Sequence, residues 1–149
     1  MSLYNPSRDQ VRQFFFDSWA KFKQQLPLTD LEKIAINVIE MHPEYHTILD
    51  NPQRYMQQQY FPEMGETNPF LHLSLHLSVI EQINIDQPIG IRAIYEKLRL
   101  RHSSSAQESG HDAQHELVEC LAETIWQSQR NKIPLDSSSY LKLLQSRIE

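Results

Sequence analysis

Glycine is scarce in this chain of 149 residues, with three in all, and there is a single cysteine. So few glycines leave little material for the tight turns that a hairpin-rich sheet requires. One cysteine, Cys120, cannot close an internal disulfide, which fits a reducing, cytoplasmic compartment. There is no basic block either. The 14 Lys and Arg are outnumbered by 19 Asp and Glu for a net charge of -5, so the electrostatic footprint for nucleic acid or an anionic membrane is missing. Long apolar runs are also lacking. The most apolar stretch, Phe70 to Ile85, is interrupted by His72, Ser74, His76, Ser78, Glu81, Gln82 and Asn84, which excludes a spanning helix over it. The first residues show neither an uninterrupted apolar region nor a small-residue cleavage site, so export is not expected. No phosphate-cradling glycine loop or dinucleotide fingerprint occurs.

What is present supports a folded core. Hydrophobic residues make up 40% of the chain, and a single domain over 1–149 would bury about two thirds of its unfolded surface. Apolar positions recur with a 3.6-residue period, which predicts an all-α fold: a helical bundle with short connecting helices. The first helix runs from about Ser7 to Gln24, with Val11, Phe14, Phe15, Ser18, Trp19 and Phe22 on one face. Thr29 and Glu32 form a capping box for the second, which ends near Met41. Pro43 predicts a break at His42, then a short helix to Leu49. Another short segment starts at Asn51-Pro52. Glu63 to Asn68 reads as an ordered loop, and Asn68-Pro69 starts a helix that reaches about Asp86. Gln87 to Gly90 is a turn, and a helix follows over Ile91 to Arg101. Residues 102–110, HSSSAQESG, read as a flexible linker. A long helix then covers about His111 to Arg130, and Asp136 caps a final one.

The histidines carry the main chemical signal. His42 with His46, His72 with His76, and His111 with His115 share one spacing, so six of seven histidines lie four positions from another. Random placement would give roughly 0.3 such pairs. On a helix, positions i and i+4 are one turn apart, so two imidazoles can converge on one ion. Imidazole suits zinc, iron, copper or nickel.

Helical phase ranks the pairs. His72 and His76 fall with Val79, Ile80 and Ile83, opposite Ser74, Ser78, Glu81 and Gln82, so both rings point to the buried face. An unpartnered buried polar group costs about 1–3 kcal/mol, and two of them require a reason. His111, His115 and Glu119 are successive i, i+4 positions bordering the stripe of Val118, Leu121, Ala122 and Ile125. Glu119 can bind an ion directly or orient an imidazole, whereas Asp112, Glu116 and Glu123 point farther toward solvent. His42 continues the stripe of Leu31, Ala35 and Val38, yet standing before proline it reads first as the end of the helix. His46, on the short helix after Pro43, is a candidate fifth ligand. His102 has no partner in sequence and is expected on the surface.

Other chemistry is poorly represented. Cys120 falls opposite His111 on the helix, which argues against a Cys–His nucleophile. The run HDAQH at His111 lacks the glutamate of the HExxH metalloprotease pattern. The segments MHPEYHTIL (41–49), PEMGETNPFLHLSLHL (62–77) and HDAQHELVECLAETIWQSQRN (111–131), with QFFFDSWAKF near the start, resemble a proteobacterial family labelled only as a domain of unknown function (DUF1841-like). That resemblance implies a small bacterial protein and brings no catalytic residues with it. At the level of fold, the pattern is similar to helical bundles that hold metals with His and carboxylate groups, an analogy that fixes no function.

Two readings of different classes follow. In one, the chain is a metal-binding bundle with a divalent ion, zinc or iron, held by His72, His76, His111, His115, Glu119 and His46, serving a hydrolase or dioxygen chemistry. In the other, the histidines are satisfied core residues of a non-enzymatic module that binds a protein partner. The sequence names no substrate and assigns no catalytic residue.

Overall fold

The computed structural model describes residues 7–61, 64–102 and 106–149, and the side chains of all of these but 106–109. Its helices are α1 (Arg8–Lys23), α2 (Asp30–Glu40), a 3-10 turn (Pro43–Tyr45), α3 (His46–Leu49), α4 (Pro52–Tyr55), α5 (Pro69–Ile85), α6 (Ile91–Arg101), α7 (Ala106–Asn131) and α8 (Ser137–Ile148). No strand occurs among the described residues. The protein is all-α.

Local chemistry explains the boundaries. Ser7 and Gln10 form a capping box at α1, as Thr29 and Glu32 do at α2, so two otherwise orphaned N–H groups are satisfied at each start. Asn68 Oδ1 accepts from the N–H groups of Phe70 (3.0 Å) and Leu71 (3.2 Å), and Pro69 supplies a preset φ for the first turn of α5. Asp136 caps α8 by accepting from Ser138 N–H. Gly90 precedes α6 with φ of +99°, a conformation that a side chain would strain. The linker predicted over 102–110 falls partly on residues 103–105, which lie outside the described residues. From Ala106 onward the chain is already helical. Ala106, Gln107 and Glu108 favour helix, and extending an established helix gains one hydrogen bond per residue fixed. In the predicted loop 63–68, residue 63 likewise lies outside the described residues.

By contact density the chain forms two compact units, 1–74 and 75–149, divided within α5. The core of the first unit contains Phe15, Phe16 and Trp19 of α1, Ala35, Ile36, Val38 and Ile39 of α2, with Leu49, Phe70 and Leu73. Its α1 face is rotated from the predicted stripe, because Arg12 is buried at 1% exposure. The guanidinium donates from Nη1 to the carbonyls of Tyr55, Met56 and Gln58 and lies over the Phe70 ring at 4.7 Å. Carbonyls at the end of α4 need donors, and a buried arginine supplies them. The second unit is built on one cluster that joins Leu75 and Val79 of α5, Ile91, Ile94 and Leu98 of α6, Ala113, Leu117, Val118, Cys120 and Leu121 of α7, and Tyr140 and Leu144 of α8. The Tyr140 hydroxyl donates to Gln82 Oε1 at 2.7 Å.

Candidate metal centre

In the first unit, the end of α2 delivers His42. Pro43 disfavours helical geometry at His42, which takes φ of -128° and ψ of 66° and turns its ring into the core at 2% exposure. Its Nδ1 lies 2.7 Å from the Val38 carbonyl. A carbonyl can only accept, so Nδ1 carries the proton and, in the neutral ring, Nε2 carries the lone pair. That Nε2 is 3.1 Å from Nε2 of His72 on α5. The two rings meet edge to face, with centroids 4.9 Å apart. Tyr45 stacks on His42 at 5.4 Å with planes 5° apart, and burial pushes its phenol pKa up.

In the second unit, α5 and α7 bring three histidines together. His76 is fully buried. Its ring centroid lies 4.8 Å from His115 in an edge-to-face contact and 5.7 Å from His111 in a stacked one. His111 and His115, one turn apart on α7, are 4.2 Å apart by centroid. Nδ1 of His76 also meets Oε1 of Gln114 at 3.2 Å.

His72 and His76 themselves occupy successive turns of one helix. Followed along α5, His42 against His72, the turn from His72 to His76, and His76 against His115 make a run of four histidines that could hold a metal ion. Each has a ring nitrogen within 4.8 Å of its neighbour's in that run. The approach of His42 to His72 bears on the fit to an ion. Two imidazoles bound to one ion at about 2.0–2.1 Å place their nitrogens roughly 2.8–3.4 Å apart, from square to tetrahedral angles. The 3.1 Å between His42 and His72 falls inside that interval.

Of the residues predicted from sequence, His72, His76 and His115 belong to this run, and His111 packs beside it. Two others lie in different surroundings. His46 Nε2 donates to the Ile39 carbonyl at 3.0 Å, and its ring packs on Trp19 at 4.6 Å. Glu119, with 61% of its side chain exposed, accepts from Arg147 Nη1 at 2.8 Å. His42 takes a place that sequence reasoning had weighed and left out, although its phase with Ala35 and Val38 carried the signal. Gln114 was missed altogether, since a glutamine beside an apolar stripe reads as surface. His102, expected on the surface, is partly exposed and pairs with Glu116 at 2.8 Å, and Glu116 thereby does more than line a solvated face. Cys120 is buried in the core, and burial pushes its thiol pKa up, away from the thiolate that nucleophilic or metal-binding chemistry needs.

No helix of the described residues is long and apolar enough to cross a membrane. No curated protein and no solved structure gives a significant match to the chain. A family model described as "Domain of unknown function (DUF1841)" matches residues 7–146, nearly the full length, and the chain belongs to that family.

Proposed function

We propose that this protein binds one divalent transition-metal ion, zinc or iron, through His42, His72, His76 and His115, with His111 close beside. The observation that carries the reading is the 3.1 Å approach of two Nε2 atoms, one of which already has its lone pair turned to the other by the bond from His42 Nδ1 to Val38. Imidazole is a neutral ligand, so a site of this kind leaves the charge of the ion undiminished. If one position opens to solvent, such an ion lowers the pKa of bound water to about 7 and polarises a substrate carbonyl or phosphoryl oxygen. Hydrolytic chemistry in a bacterial cytoplasm is therefore the activity we favour, with a dioxygen reaction the counterpart if the ion is iron. Cobalt titration of the metal-free protein tests the binding. A four-nitrogen tetrahedral site gives the intense visible bands of low-symmetry cobalt at one equivalent, and weak bands that grow without saturating would refute it.

A second reading has its own support. His46 is satisfied by a backbone carbonyl, and in the same way a proton on His72 Nε2 can bridge to His42. The histidines are then structural, and the protein is an interaction module. Under that reading cobalt leaves the spectrum and the melting curve of the protein unchanged.

A further inference from the structure

We infer that Gln114 is a positioning residue that fixes the tautomer and ring plane of His76 so that Nε2 carries the lone pair, and that Tyr95 and Gly110 hold Gln114 in turn. The use of this device rests on the metal-binding reading; the device itself does not.

The hydrogen-bond directions fit an arrangement with the proton on His76 Nδ1. Gln114 presents Oε1 to His76 Nδ1 at 3.2 Å, so the ring N–H donates and the amide accepts. Its amide NH₂ is directed to the Tyr95 hydroxyl, whose pKa this bond lowers while burial raises it more. The Tyr95 hydroxyl donates onward to the Gly110 carbonyl at 3.5 Å. Each group donates once along the chain, an order that fits the amide oxygen facing His76. Gly110 closes the argument from the other side. A Cβ there would come within 3.0 Å of the Tyr95 hydroxyl, so the glycine inside α7 is the residue that lets the phenol approach. A glycine inside a helix is otherwise disfavoured, and here the sequence keeps it one turn before Gln114. His42 receives the same service from the Val38 carbonyl. Histidine ligands are generally oriented through the nitrogen that does not face the metal, and losing that partner weakens binding by about 10–100-fold.

The test uses the full chain, metal-free and labelled with ¹⁵N in histidine, so that long-range proton–nitrogen correlation shows which ring nitrogen of His76 is protonated. Wild type is expected to show Nδ1–H. In Gln114→Leu that preference is lost and zinc affinity falls about tenfold or more, while Gln114→Glu, which keeps an acceptor, restores both. Gly110→Ala is expected to act in the same direction as Gln114→Leu by displacing Tyr95. An Nε2–H tautomer in wild type overturns the inference, and that measurement needs no variant to fold. So does a Gln114→Leu protein that keeps both the wild-type tautomer and the wild-type zinc affinity. A tautomer that follows Gln114 in a protein that binds no zinc supports the positioning role and refutes the metal site.

Discussion

At the residue scale, what occupies the two nitrogens of each imidazole decides whether it can bind an ion. His42 and His46 are both anchored to carbonyls of α2, but through opposite nitrogens, Nδ1 to Val38 and Nε2 to Ile39. Only the first arrangement aims Nε2 at His72. His42→Ala is therefore expected to weaken zinc binding by more than about tenfold. His46→Ala should leave zinc affinity unchanged and lower stability by about 0.5–1.5 kcal/mol, because the Ile39 carbonyl keeps the His42 N–H at 2.9 Å but loses the His46 ring as its second donor. Paired calorimetric titrations and denaturant melts separate the two effects, and a reversed pattern would contradict the assignment. Glu119 gives a second contrast. Since its carboxylate is solvent-exposed and paired with Arg147, Glu119→Gln should bind zinc as wild type does in the same titration. Sequence phase was enough to single out His72, His76 and His115 of the histidine group, because a histidine in or beside an apolar stripe is conspicuous. It could not separate His42 from His46, since the difference lies in backbone torsions at the His42–Pro43 step that no periodicity encodes. Nor could it place Glu119, which lies near the border of the stripe, where one arginine from α8 decides its direction.

At the element scale, the helices were legible wherever a cap or a proline marks an end. Both capping residues of α2, the break at Pro43 and the start of α5 at Asn68-Pro69 follow from side-chain chemistry within four residues. Local signals failed where a distant partner overrides them. Arg12 is drawn inside by three carbonyls more than forty positions away, and this turns the face of α1. Glu32 shows how a cap couples to pH. The Thr29 N–H donates to its carboxylate at 2.8 Å and Lys21 Nζ lies 2.9 Å away, and these bonds hold its pKa below the ordinary value. A depressed carboxylate pKa adds stability above the unfolded-state pKa, and that contribution is lost as pH falls through the folded-state value. Glu32→Gln should thus melt below wild type at neutral pH, with the gap closing as both are acidified. A gap that widens in acid would contradict the assignment.

At the scale of the whole molecule, a net charge of -5 attracts cations, though it says nothing about which residues collect them. The all-α class and the family membership were both legible in the chain, from its periodicity and from its histidine-rich segments. A ligand that binds only the folded state stabilises it by about 2.7 kcal/mol at a hundredfold excess over Kd. For a chain of this length that corresponds to a rise of roughly 5–10 °C in Tm. Adding zinc to metal-free wild type should produce such a rise, and the same addition to His76→Ala should produce little, which scanning calorimetry can check. Comparing each protein with and without zinc removes the cost of the cavity left by a fully buried ring. Retention of a metal ion on these histidines is what every zinc contrast above depends on. Element analysis of protein purified without an affinity tag tests it most directly. About one zinc or iron is expected per wild-type chain, and a small fraction of that in His72→Ala and His76→Ala. Wild-type protein that will not retain zinc or iron even after reconstitution, or equal metal in wild type and both variants, would contradict it.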